Sequence, residues 1–270
     1  MFAPSECGKS DDGSLVCSLL PWGTCIWIKP NDVIGRKIMR LGLFDLSVCE
    51  LIARLVQPGD TVLDVGANCG QMTSLMAVCA GPSGRVMSFE PHPVNFDLLA
   101  KNVAQWTDGA EIVASDTALG DVPGTAQLGE PEDFEENTGL SSLASGRMSG
   151  RSFEVMVDTL DNVLSGVESV RLMKMDVEGF EANVLRGASE SLKDGRIRNI
   201  VYEDHEGHPS DVSRILEENG YTILTPVTGI LGPKLHVAGK VAQTNFLATL
   251  ENEKAEAVFH NLGYLCLKKR

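Results

Sequence analysis

Residues 61–70 read TVLDVGANCG, and the next apolar run, VMSFEP, carries Glu90 near its end. Thr61 to Val65 is short, β-branched and apolar, which predicts a buried strand. Gly66 and Gly70 bracket a tight turn, and Met72, Leu75, Met76 and Cys79 recur behind it at helical spacing. Strand, glycine turn and helix in this order form a βα unit whose backbone N–H groups can approach a ligand closely. Glu90 stands 20 residues beyond Gly70, at the end of a second strand. A carboxylate there can accept hydrogen bonds from both hydroxyls of a ribose.

The glycine spacing selects among nucleotides. Dinucleotide sites want G-x-G-x-x-G. This chain has D-x-G-x-x-x-G, with Asp64 two residues before Gly66. A glycine is missing where a pyrophosphate would touch the backbone, and no basic residue in the loop meets phosphate charge. A cationic adenosyl ligand fits better, with Asp64 as the nearby anion. S-adenosylmethionine carries a sulfonium, an amine and a ribose, and suits this acidic loop. A purely structural βα turn is the bland alternative, and Glu90 argues against it.

The chain has 270 residues, 43% of them apolar, enough for one large α/β domain with extensions. Its net charge of −14 disfavours nucleic acid and anionic membranes, which bind through cations. Seven cysteines are scattered without C-x-x-C or ligand-like spacing, so no metal site is read from them. An odd cysteine count and no signal peptide predict a reducing cytoplasm. The apolar stretch 15–28 contains Pro21 and Gly23 and is too short to span a bilayer.

The pattern divides the chain into an N-terminal extension or cap, 1–44, and a catalytic-type domain, 45–270. The first dozen residues are polar and predict little order. Ser47 and Glu50 suggest a capping box. Core strands are predicted at 61–65, 85–89, 111–114, 170–175, 198–203, 221–224 and 245–250, with an edge strand at 264–267. Helical stripes fall between them, so the sheet is doubly wound with ligands at the strand C-termini. Residues 121–158 interrupt the alternation with GEPEDFEENTG and SSLASGRMSG. The flanking runs 124–128 and 153–157 could pair as a hairpin, making this insertion either a substrate lid or a surface loop.

At VLDVGANCG (62–70), FEPHPVNFDLL (89–99), TALGD (117–121), VDTLD (157–161) and LMKMDVEGFEANVLRGA (172–188), the chain resembles the FkbM family of methyltransferases. The resemblance implies a class I, Rossmann-like α/β fold. Its sheet would be seven-stranded and mostly parallel, with helices on both faces and an antiparallel final hairpin. It implies S-adenosylmethionine as cofactor and a hydroxyl oxygen of a small natural product or sugar as acceptor. Carried over by motif, Gly66, Ala67, Asn68 and Gly70 would surround the methionine portion, and Glu90 with Pro91 would hold the ribose. Asp116 and Thr117 would sit beside the adenine.

Methyl transfer from a sulfonium needs an aligned oxygen and a destination for one proton. One strand ends in Lys174, Asp176 and Glu178, and the next in Glu203, Asp204 and His205. Histidine is the side chain that ordinarily titrates near neutrality, so His205 is the candidate base, oriented by Glu203 or Asp176. Asp176 could equally hold the cofactor amine, cap a helix or bind a metal. Lys174 and Asp176 share one strand face, which allows a plain ion pair. Three alternatives stay open: a catechol-type site using a divalent metal, a catalytically silent cofactor-binding module, and, less favoured, a dinucleotide oxidoreductase. The expected partner is a small hydroxylated acceptor, with no nucleic acid or membrane, and self-association is left open.

Overall fold

A computed structural model describes residues 5–130, 143 and 151–268. The chain opens with a three-stranded antiparallel sheet of β1 (Ser5–Lys9), β2 (Val16–Leu19) and β3 (Cys25–Ile28), in that order. Helices α1 (Val33–Leu41) and α2 (Leu46–Leu55) follow. Strand and helix then alternate through β4 (Thr61–Val65), α3 (Gln71–Ala80), β5 (Arg85–Phe89), α4 (Pro93–Val103) and β6 (Glu111–Ser115). Next come β7 (Ala118–Leu119), β8 (Gly124–Gly129) and β9 (Ser152–Asp158), which form a separate small sheet. Alternation resumes with α5 (Leu160–Val163), β10 (Leu172–Met175), α6 (Glu181–Arg186), α7 (Ser189–Lys193), β11 (Asn199–Glu203) and α8 (Asp211–Glu218). The chain closes with β12 (Thr222–Gly229), β13 (Gly232–Val237), β14 (Asn245–Thr249) and α9 (Asn252–Phe259).

The main sheet runs β13-β12-β14-β11-β10-β4-β5-β6. Pairing is parallel from β11 to β6 and antiparallel through β14, β12 and β13. This is an α/β fold around a large mixed sheet, with eight strands where seven were expected. The extra strand, GPKLHV, is an edge strand whose Pro and Lys hide the usual alternation. β8 and β9 pair antiparallel from Gly124↔Val157 to Gly129↔Ser152. Residues 131–142 and 144–150, where a lid was considered, lie outside the described residues.

Strand residues alternate between two cores. Val62 joins α2, α3, α9 and the N-terminal sheet on one face, and Leu63 joins α5 to α8 on the other. Three local expectations are corrected. Residues 5–9 are ordered as β1, because β2 supplies their backbone partners. Helix α2 is capped by Asp45, whose Oδ1 accepts from the Val48 N–H at 3.0 Å. Glu50 cannot complete a box with Ser47 because it turns into the core, pairing with Arg54 Nε at 2.8 Å and accepting from the Cys266 N–H at 2.6 Å. That second bond explains why 264–267 form no strand: the segment is drawn inward with Cys266 fully buried. Among the described residues, no helix is long and apolar enough to cross a membrane.

Asn102 fastens the N-terminal sheet to the cofactor-type turn. Its Nδ2 donates to the carbonyls of Trp27 (2.9 Å) and Cys69 (2.8 Å), while its Oδ1 accepts from the Trp27 N–H at 2.7 Å. The side chain is fully buried, so its loss strands backbone groups away from water. Asn102→Ala is expected to cost about 2–4 kcal/mol. Urea unfolding with both proteins measures it, and a loss below about 1 kcal/mol would show that the sheet is held elsewhere.

Candidate active site

The C-terminal ends of β4, β5 and β10 meet around one cavity that is partly open to solvent. Its walls include Gly66, Ala67, Asn68, Glu90, Pro91, Thr117, Lys174, Asp176 and Glu178, with Ile34, Phe44, Met72, Phe89, Leu128 and Phe180 supplying apolar surface. Gly66 has φ +76°, and a Cβ on it would sit 1.9 Å from the Asp176 carbonyl oxygen. Only glycine lets the β4 turn cross the end of β10 this closely. The N–H groups of Gly66 and Ala67 both donate to the Phe89 carbonyl, at 2.9 and 3.0 Å, so the turn is also pinned to β5.

Glu90 is buried at the end of β5 and accepts one backbone hydrogen bond on each oxygen, from Asn68 at 2.7 Å and His92 at 3.0 Å. Burial outweighs these bonds and the Lys174 charge, and pushes its carboxyl up to about 7. A carboxylate offers about four lone-pair sites, so both oxygens retain accepting capacity. Lys174 is buried between strands. Its Nζ donates to the Gly66 carbonyl at 2.6 Å and stands 3.5 Å from Asp64 and 3.8 Å from Asp176. Burial works against its charge, but Asp64, Asp176 and Glu90 outweigh burial and hold its pKa above the usual lysine range.

Several predicted residues take other positions. Asp64 lies behind the cavity wall, fully buried, with Oδ2 accepting from Thr73 at 2.6 Å. Parallel registry brings it opposite Lys174, which is why its charge is spent there. Gly70 caps α3 with φ +90°, where a Cβ would press on Leu99 at 2.7 Å, so it serves packing. Asp116 is exposed and does not line the cavity, whereas its neighbour Thr117 does. His205 is 67% exposed and 3.8 Å from Glu203. Both line a neighbouring acidic opening with Glu206 and Asp211, not the cavity itself.

Sequence reasoning assigned no role to Gln71, Asn95 or Glu178, all of which line the cavity. Gln71 exchanges two hydrogen bonds with the Phe44 backbone, at 2.7 and 2.8 Å, and so holds Phe44 at the rim. Its position directly after Gly70 was the available signal. Glu178 stands before a glycine at a strand end, and burial followed by Asp176 and Glu203 pushes its carboxyl up to about 7. Among the described residues, no three His, Cys, Asp or Glu side chains converge as a metal-ligand set.

The Methyltransferase FkbM domain profile matches residues 64–223, more than half of the chain. The chain belongs to the FkbM methyltransferase family. It is 29% identical over 199 residues to the 31-O-demethyl-FK506 methyltransferase FkbM of Streptomyces tacrolimicus, covering 63% of this chain and 75% of that protein. It is 28% identical over 192 residues to the methyltransferase sdnD of Sordaria araneosa, covering 60% and 73%. To the hexuronic acid methyltransferase AglP of Haloferax volcanii it is 29% identical over 176 residues, covering 64% and 67%. The family's cofactor is S-adenosylmethionine. The cavity fits it: the glycine turn leaves backbone room, and Glu90 keeps lone pairs for hydroxyl donors.

The raised carboxyls of Glu90 and Glu178 make ligand-free stability depend on pH. Glu90 and Glu178 stand about 7 in the folded chain against an ordinary 4.5. Between these values the folded chain keeps protons that the unfolded chain has released. Their contribution is therefore full below about pH 4.5 and is lost as pH rises through 7. Unfolding free energies from urea titrations at pH 5 to 8 should fall less steeply in Glu90→Gln than in the parent, by on the order of 1–3 kcal/mol across the interval. Parallel slopes would place the proton elsewhere.

Proposed function

We propose that this family member transfers the methyl group of S-adenosylmethionine to a hydroxyl oxygen of a small natural-product or sugar acceptor. The observation that carries this is the continuous cavity from Glu90, across the Gly66–Asn68 turn, to Asp176 at the edge of the acidic opening. In this proposal Glu90 takes the ribose hydroxyls beside Pro91, and Gly66, Ala67 and Asn68 receive the methionine portion. Thr117 borders the adenine. The sulfonium supplies the electrophile, so the protein's tasks are alignment, exclusion of water and acceptance of one proton.

The residues suit those tasks unequally. Lys174 has no lone pair to offer while charged and serves to fix the Gly66 carbonyl. Asp176 stands where cavity and opening meet, placed to hold a cofactor amine or acceptor hydroxyl. Carboxylates line most of that opening, with Arg186 as its one lysine or arginine among the described residues. An uncharged acceptor therefore fits better than an anionic one. Alignment in favourable cases lowers a barrier by about 7–11 kcal/mol, against a general base's factor of about 10²–10⁴, so geometry is the larger share. Residues 1–44 would act as a cap, since Ile34 and Phe44 close one side of the cavity.

Calorimetry should detect S-adenosylhomocysteine binding and no NAD binding. Glu90→Ala should weaken the former at least tenfold with the fold intact, because each charge-assisted hydrogen bond is worth about 1.5–3 kcal/mol. Labelled S-adenosylmethionine with a panel of hydroxylated acceptors should yield S-adenosylhomocysteine and a methyl ether, unaffected by EDTA. Binding without turnover on any hydroxyl would favour the silent module, and loss of turnover in EDTA would favour the metal-assisted route.

A further inference from the structure

The cavity and the acidic opening share two lining residues, Asp176 and Glu178. A group that receives the acceptor's proton belongs at that junction, within reach of both compartments. The other ionisable groups near the cavity each have a place or a charge that does not suit a base. Glu90 sits at the far strand end with a backbone N–H on each oxygen. Lys174 is held as a cation, and Asp176 is its ion-pair partner at 3.8 Å. His205 faces solvent outside the cavity.

Glu178 differs from these in its backbone as well as its place. Among the described residues, three non-glycine residues have positive φ: Asp45 (50°), Asn68 (49°) and Glu178 (51°). All three border the cavity or its adjoining openings. Asp and Asn visit this region with help from short polar side chains, but glutamate has no such help. Strain of this kind persists where the surroundings over-determine it. Here Glu181 does so: its Oε1 accepts from the N–H groups on either side, Val177 at 3.1 Å and Gly179 at 3.3 Å.

We propose that Glu178, not His205, is the catalytic base of this methyltransferase. The proposal rests on the methyl-transfer function above. The acceptor oxygen bonds to the methyl carbon as the carbon–sulfur bond breaks with its electron pair to sulfur. The hydroxyl proton passes to a Glu178 carboxylate oxygen, from which it leaves to water through the acidic opening. Burial and the neighbouring Asp176 and Glu203 raise this carboxyl to about 7, which suits a base working near neutrality.

The test uses the full chain labelled with carboxyl-¹³C glutamate and saturated with S-adenosylhomocysteine. The Glu178 resonance is assigned by its absence in Glu178→Gln, a nearly isosteric change. A midpoint above pH 6 is expected, and one below pH 6 overturns the proposal, since such a carboxylate is too weak a base. With 31-O-demethyl-FK506 as probe acceptor, Glu178→Gln should lower kcat by about 10²–10⁴. KM and S-adenosylhomocysteine affinity should stay within about threefold, and His205→Ala should stay within about threefold in kcat. A Glu178→Gln enzyme with near-parental kcat, or a His205→Ala enzyme that loses turnover, also overturns it. If the probe is not turned over, the titration alone decides. Failure to bind S-adenosylhomocysteine at all would instead sink the methyl-transfer function.

Discussion

Everything at the site depends on one crossing, where the turn after β4 passes over the end of β10. Two devices hold it. Gly66 removes the Cβ that would collide with the Asp176 carbonyl, 1.9 Å away. Lys174 reaches back from β10 and donates to the Gly66 carbonyl at 2.6 Å, with Asp64 and Asp176 beside it. A buried cation without partners is strongly unfavourable, so this ammonium is stable only while both carboxylates stay close. The arrangement fixes the turn, the floor of the cavity and the Asp176 backbone together. The same ion pairs answer why a strand bears charge at all: Lys174 and Asp176 share a face, and the parallel registry puts Asp64 opposite Lys174.

The sequence displays the parts of this device whose signals are local. The β4 run, the glycine turn and the spacing to Glu90 are nearest-neighbour patterns, and the structure places them as one wall. The ordinary α/β alternation was likewise legible, because both cores need apolar residues at regular periods. What stayed hidden is set by contacts far apart in the chain. The pairing of Glu50 with the Cys266 N–H joins residues 216 positions apart, so a local capping-box pattern misled. Asp64 reads as a loop anion until Lys174, 110 residues away by number, is seen to neutralise it. β13 escaped because an exposed edge carries no alternating apolar face. His205 looked apt by residue type, but exposure is not written in a single side chain.

The small sheet of β7, β8 and β9 is tied to the site through a short relay. Glu130, just past β8, meets His92 Nε2 at 2.9 Å, and His92 donates its backbone N–H to Glu90 at 3.0 Å. The imidazole packs edge-on against Phe153 of β9, with ring centroids 5.1 Å apart. Burial lowers the His92 pKa, and Glu130 opposes that shift. Leu128 of β8 lines the cavity. The small sheet is thus attached to the rest of the chain at the loop that presents Glu90.

The chain's charge is organised on the same plan. Acidic residues exceed basic ones by 14 overall, yet the cavity walls are mainly apolar, and charge is concentrated at its far end. Under the proposed function, apolar walls leave the orientation of a cationic cofactor to the carboxylates among them, Glu90, Asp176 and Glu178. Burial against these walls, more than any other influence, raises the carboxyls of Glu90 and Glu178 to about 7. Hydrogen-bond donors from a ribose favour the ionised form of Glu90, so ligand binding and proton release at β5 are linked. At β10 the opposite sense applies: Glu178 is kept ready to receive a proton by Asp176 and Glu203 across the opening. One cavity therefore contains two carboxyls with similar affinities for protons, proposed to serve the cofactor at one end and the acceptor at the other.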